Sequence, residues 1–178
     1  MEQKKEQLVE RDSPVLREVA KAVPIKDIKT PRIKKIIAQM QEAMHGESDG
    51  VAIAAPQIGV GLRIFVVNGE ALHKIEHPHD DTEREEKEDM IFINPEITRL
   101  SRQKEEKEEG CLSLRYLYGR VLRSEKASIK AYNENGERFT RGASGLLAQI
   151  FQHEVDHLNG ILFIDKAEGV RNIPPSNE

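Results

Sequence analysis

Two histidines four residues apart, His153 and His157, flank Glu154 in the run Gln152-His153-Glu154-Val155-Asp156-His157. The surrounding apolar residues read as helix. Positions i and i+4 of a helix share a face, so both imidazoles can converge on one cation while Glu154 stays near enough to move protons. This is the pattern of a metal-dependent hydrolase. A bare histidine pair at this spacing also occurs on surface helices, where it only solvates a face; the glutamate and the apolar setting weigh against that reading here. The single cysteine, Cys111, cannot form an internal disulfide, which fits a reducing compartment and leaves a thiol for metal or nucleophilic chemistry.

These groups need a scaffold, and 178 residues with 38% hydrophobic and 33% charged content suffice for one catalytic domain, 1–178, with a sizeable core. The net charge of −4, the absence of tryptophan and the lack of a basic patch interleaved with aromatics argue against direct nucleic-acid recognition. No run approaches the roughly 20 apolar residues of a membrane span, and Met1 to Glu10 is charged without an apolar stretch. No membrane association is expected, and the expected location is cytoplasmic.

Thr30-Pro31 reads as a helix N-cap followed by proline at the first helical position. Ile33, Ile36, Ile37, Met40 and Met44 then recur at helical spacing until Gly46, one apolar stripe for the core. Arg63 to Asn68 and Met90 to Asn94 read as strands, and Ala127, Ile129 and Ala131 alternate towards an Asn135-Gly136 hairpin turn. Ile161 to Ile164 is expected as a further strand, after Gly160 at the C-terminal end of the histidine helix. Strands grouped between helices favour an α+β domain over a doubly wound parallel sheet. Residues 71–89, rich in histidine and acid, read as a charged solvent loop without chemistry, and 169–178 as a flexible C-terminal tail. Ser101 to Glu109 is a second charged run, which would pass for a solvated edge but for Glu109-Gly110-Cys111-Leu112-Ser113 directly after it.

Gly50-Val51-Ala52-Ile53-Ala54-Ala55-Pro56-Gln57, Glu109-Gly110-Cys111-Leu112-Ser113 and the histidine run resemble, in that order, the three motifs of peptide deformylases. Weaker echoes at Ser13 to Arg17, Ile93 to Glu96 and Gly160 to Phe163 extend the resemblance over nearly the whole chain. It implies antiparallel sheets around a central metal-binding helix. It also implies removal of the formyl group from the N-terminal formylmethionine of new polypeptides, releasing formate. Cys111, His153 and His157 would hold the metal, and three protein donors leave a tetrahedral ion's fourth position open for chemistry. The family implies ferrous iron, Fe2+; Zn2+, Ni2+ or Co2+ suits the same donors. The ion would lower the pKa of a water so that hydroxide attacks the formyl carbon, with Glu154 carrying the proton to the leaving amine. Gln57 and the backbone N–H of Leu112 would stabilise the oxyanion.

At about 100° per residue, Leu146, Ile150, His153 and His157 share one helix stripe, while Leu147, Phe151 and Leu158 form another that faces the core. Leu146 and Ile150 are thus expected to wall a methionine pocket. Gly50, Val51 and Ala52 are expected to pair with the substrate backbone as an added strand, with Glu109 also among the substrate-binding residues. The partners implied are N-formylmethionyl peptides, nascent chains and transient ribosome contact, although the tail is too short and proline-broken for the long basic helix some members use there. Ala52 stands where the family motif usually has glycine, Leu114-Arg115 where many members have a proline, and Tyr118 where a substrate-binding arginine often occurs; Arg115 or Arg120 is a candidate substitute.

Other readings of these residues remain. His45 or a loop histidine would complete a structural zinc site, and Cys111 beside a histidine would be a nucleophile. A zinc metallopeptidase shares the His-Glu-x-x-His pattern, though a cysteine ligand argues against it. A catalytically impaired peptide-binding protein would follow if Ala52 and Tyr118 abolish turnover.

Overall fold

The computed structural model describes residues 8–77 and 87–174 of the chain. Among the described residues three α-helices, α1 (Pro31–His45), α2 (Gly69–Glu76) and α3 (Gly145–Leu158), accompany eight strands. The larger sheet has the order β1-β2-β3-β6-β7, formed by Ala52–Ala54, Ile64–Val67, Met90–Leu100, Lys126–Tyr132 and Arg138–Ser144. The smaller has the order β4-β5-β8, formed by Lys104–Gly110, Leu117–Ser124 and Glu168–Asn172. All strand pairs are antiparallel. Helix α3 packs against β1, β3, β6 and β7 of the first sheet and β5 of the second. The class is therefore α+β, with antiparallel sheets around a central helix.

The larger sheet is covered on both faces, which explains why β2 reads Ile-Phe-Val-Val without polar alternation. Ile64 and Val66 meet the α1 stripe of Ile33, Ile36, Ile37, Met40 and Met44. Phe65 and Val67 point the other way, into the α3 side. There Phe65 stacks on Phe92 with ring centroids 4.4 Å apart, and Phe151 of α3 meets Phe92 edge-on at 5.3 Å. A third cluster, Leu16, Leu114, Val121, Leu162 and Phe163, lies beneath the smaller sheet and supports Cys111. Thr30 and Pro31 open α1 as expected, although the Thr30 hydroxyl donates to Asp27 O rather than capping the helix.

Three expectations are corrected. Ile161 to Ile164 is not a strand: Gly160 takes φ +72° after the end of α3, and the chain turns into a 3-10 helix at Phe163–Asp165, with Asp165 accepting from Leu162 N. Its apolar residues serve the third cluster, which needs burial but no ladder. Of the loop expected over 71–89, residues up to Glu76 complete α2, because Asn68 Oδ1 caps Ala71 N and Leu72 and Ile75 pack on the α3 core; residues 78–86 lie outside the described residues. The tail expected over 169–178 contributes most of β8, whose backbone pairs with β5; residues 175–178 are outside the description.

Candidate active site

The local fold of each motif aims its side chains at one cleft of about 310 Å³. The first motif passes through β1 into a 3-10 turn at Ala55–Ile58. Within it Gln57 Oε1 accepts from Ala54 N at 2.8 Å, turning the amide so that Nε2 lies 3.4 Å from Cys111 Sγ and 3.3 Å from Ser113 Oγ. Gly50 does not line the cleft. It sits beneath, where a Cβ would lie 2.0 Å from Met44 O, so only glycine fits. Its carbonyl accepts from Asn68 Nδ2 and that of Val51 from Asn68 N, pinning the approach to β1. Ala52, in extended strand backbone, turns its difference from the family motif into a methyl on the cleft wall without backbone strain.

The second motif leaves the end of β4. Glu109 is almost fully buried, and its carboxylate does not face the cleft alone: Arg123 of β5 donates two hydrogen bonds, at 2.7 and 2.9 Å, and His153 Nδ1 lies 2.9 Å away. A carboxylate only accepts, so His153 carries its proton on Nδ1 and presents Nε2 to the other donors. Burial pushes the Glu109 carboxyl up, but the bonds from Arg123 and His153 outweigh it and hold the group down at about 2. Expected among the substrate-binding residues, Glu109 lines the cleft yet spends its oxygens on Arg123 and His153. Arg123 also donates to Asp156 Oδ2 at 2.6 Å, and Lys166 covers the other side of Asp156. Gln152 fixes α3 to the end of β5 through Ser124 N and O. Arg123, Gln152 and Asp156 went unrecognised in the sequence; the last two stood inside the histidine motif, while Arg123 had no local signal.

Helix α3 supplies the remaining groups. Cys111, His153 and His157 bring one donor atom each within 4.8 Å of one another, and Cys111 Sγ lies 3.2 Å from His157 Nε2. Burial raises the Cys111 thiol, but the two histidines outweigh it and bring it down to about 5, so a thiolate is available near neutrality. One thiolate and two imidazoles suit a borderline divalent ion, and the site fits one metal. His45 does not join it, because its Nε2 is taken by Asp89 at 2.9 Å. Glu154, 4% exposed, lines the cleft beside this cluster with Oε2 buried and lacking a hydrogen-bond partner among the described residues. Burial pushes its carboxyl up, opposed by His153 and His157. An orphaned buried acceptor is costly unless a ligand or water proton meets it.

Leu147, Phe151 and Leu158 enter the core as expected, while Leu146 and Ile150 line the cleft. Leu146 is half-exposed at the rim, and Ile150 is buried and belongs to both cleft and core. Leu112 also lines the cleft, its N–H without a hydrogen bond among the described residues. Of the two candidate arginines, Arg115 lines the cleft and pairs with Glu47 at 2.7 Å, whereas Arg120 pairs with Glu106 on the exposed strand surface. Tyr118 lines the cleft and closes over Gly110.

The polypeptide deformylase family model matches residues 5–172. A peptide deformylase of Carboxydothermus hydrogenoformans is 44% identical over 92% of this chain and 93% of its own length. The crystal structure of peptide deformylase from Thermotoga maritima superposes with a TM-score of 0.76 at 34% identity, covering 93% of this chain and 99% of that one. The Met-Ala-Ser-bound class I type b peptide deformylase of Acinetobacter baumannii gives 0.75 at 31% identity, covering 89% and 96%. A cleft with a Cys/His/His cluster able to hold a metal, on a fold shared with these enzymes, places the chain in the polypeptide deformylase family of hydrolases, which remove the N-formyl group from nascent polypeptides.

Proposed function

We propose that Cys111, His153 and His157 hold one divalent cation, and that Glu154, Gln57 and Leu112 carry the hydrolysis of N-formylmethionyl peptides around it. The observation that carries this reading is the convergence of three donor atoms within 4.8 Å beside the unpartnered Oε2 of Glu154. Bound there, the ion supplies Lewis acidity that acidifies water to near neutrality and polarises a carbonyl oxygen. By family it is Fe2+; Zn2+, Ni2+ and Co2+ suit the same donors.

Glu154 accepts the proton of the attacking water at Oε2 and delivers it to the methionine nitrogen as the C–N bond breaks, releasing formate and a free amine. Gln57 Nε2 and the Leu112 N–H donate to the developing oxyanion, and the bond from Ala54 N keeps the Gln57 amide in that orientation. Arg123 and Glu109 hold His153 in the Nδ1–H tautomer. Leu146 and Ile150 form an apolar wall for the methionine side chain. The substrate backbone lies along Val51 and Ala52 as an added strand, with Gly50 shaping the approach; β1 is an end strand of its sheet, which leaves an edge for this. The peptide-bound Acinetobacter baumannii enzyme supports a peptide in this cleft. Nascent chains, met in the cytoplasm through transient ribosome contact, are the proposed partners; no helix among the described residues is long and apolar enough to cross a membrane.

The test is formate release from formyl-Met-Ala-Ser by anaerobically purified, iron-loaded protein, beside Glu154→Ala and against unformylated peptide. Formate from the wild type, with almost none from a variant that still binds metal, is the expected result. Metal-loaded wild type that binds the peptide without releasing formate overturns the reading in favour of a peptide-capturing protein.

A further inference from the structure

Two residues other than glycine have positive φ among the described residues, and they differ in kind. Asn94, at φ 51°, belongs to a type that tolerates the left-handed region, and its side chain exchanges hydrogen bonds with Val23 N and O. Tyr116, at φ 65°, is bulky and has no such licence. It is the third residue of a turn closed by Leu117 N donating to Leu114 O at 3.1 Å, the position where a positive φ calls for glycine or asparagine. Strain of this kind persists where surrounding structure holds it and the side chain is needed.

Both ends of this turn are tied to elements distant in the chain. Ile173 N, just beyond β8, donates to Tyr116 O at 2.7 Å, and Leu117 and Tyr118 pair with Asn172 and Arg171 of the same strand. On the other side Arg115 Nη2 binds Glu47 at 2.7 Å, in the segment that leads from α1 to Gly50. The turn thus spans from the C-terminal strand to the approach of the β1 edge. Tyr116 and Arg115 both line the cleft, and both are nearly half-exposed, which sets them at its rim, away from the buried His157 and Glu154.

We propose that Tyr116 is a specificity-determining residue, a rigid aromatic contact for the peptide residues beyond the formylmethionine, held in place by the C-terminal strand through Ile173. This rests on the deformylase reading of the cleft. A tyrosine offers a large contact area for two side-chain torsions. Fixing its backbone beforehand removes the ordering cost that a mobile loop would incur on binding. Glycine at this position would relax the turn, so keeping tyrosine exchanges local stability for contact area at the rim.

The test measures KM and kcat for formyl-Met-Ala and for formyl-Met-Ala-Ser-Lys-Tyr with iron-loaded wild type, Tyr116→Gly, Tyr116→Phe and Ile173→Pro, together with each thermal midpoint. The expected result is a lower KM for the long peptide in wild type, an advantage that shrinks about five- to tenfold in Tyr116→Gly, the scale of one lost aromatic contact. Tyr116→Gly is also expected to melt at or above the wild-type midpoint, which a merely structural residue would not do. Tyr116→Phe, which keeps the ring, restores the wild-type ratio, and Ile173→Pro, which removes the N–H, shifts the ratio in the same direction as Tyr116→Gly. An unchanged long-to-short KM ratio in Tyr116→Gly overturns the proposal alone. Absence of formate from both peptides with wild type overturns the deformylase reading and this proposal with it.

Discussion

Replacing Arg123 by methionine keeps most of the side-chain volume and removes the charge. In the folded protein Arg123 is 4% exposed and makes three hydrogen bonds, two to Glu109, itself 2% exposed, and one to Asp156, at 13%. Lys166 still serves Asp156 in the variant, but Glu109 is left as a buried carboxylate with His153 as its main partner. Breaking a buried ion pair by deleting one partner costs about 3–5 kcal/mol. For a chain of this size that corresponds to a fall of roughly 6–20 °C in midpoint. Glu109→Gln in the same background removes the stranded charge, so the double variant is expected to recover about 2 kcal/mol of the loss. Urea denaturation of chelated protein measures all four corners of the cycle without a contribution from metal binding. A coupling below about 0.5 kcal/mol, the scale of independent sites, would refute the claim that the pair is one buried unit. The same cycle read by metal competition should show Glu109→Gln weakening affinity about 10- to 100-fold, the usual effect of losing a carboxylate behind a histidine ligand.

Gly50→Ala places a methyl 2.0 Å from Met44 O, where backbone has little room to move; a loss of about 1–3 kcal/mol and a raised KM are expected from denaturation and kinetics. Ala52→Gly, by contrast, relaxes no strain, and should cost about 0.5–1 kcal/mol with kcat/KM little changed. Gln57→Ala should lower kcat by about 10²–10³, in line with loss of one oxyanion donor, while metal content stays near stoichiometric. The Glu109 carboxyl, held at about 2 against an ordinary value of 4.5, contributes stability that is fully present above the ordinary value and is lost as pH falls towards 2. In chelated Glu109→Gln the acid limb of the stability profile should therefore be shallower than in wild type, and an identical limb would contradict the assignment.

Much of the candidate site was legible because its spacing is local. The i, i+4 histidines required only that 145–158 be helical, and the apolar residues around them fixed that. The α1 stripe and the β6 alternation were legible for the same reason, each having one dominant buried face. Where the pattern misled, burial and backbone geometry had separated. Leu162 and Phe163 are buried like strand residues but lie at a 3-10 turn. Residues 168–172 are all exposed, so β8 is held through its backbone pairing with β5 and carries no apolar period to read. Helix α2 was hidden by its charged composition, since Leu72 and Ile75 are its main apolar anchors. The Arg123 network joins residues 14 and 33 positions apart, a distance at which a single sequence offers no periodicity.

The strand that delivers Cys111 also forms an outer margin of the smaller sheet. Its sequence, Lys-Glu-Glu-Lys-Glu-Glu-Gly, puts charges along this margin from Lys104 to Glu108, before Glu109 turns into the buried network and the Glu108 carbonyl accepts from Gln149. Bare strand margins recruit any extended polypeptide, and lysine and glutamate along them are the usual deterrent. For a protein that acts on nascent polypeptides, an uncharged margin there would invite aggregation. The short margin of β1, Ala-Ile-Ala, carries no charge, and on the reading proposed above it admits such chains where β4 turns them away.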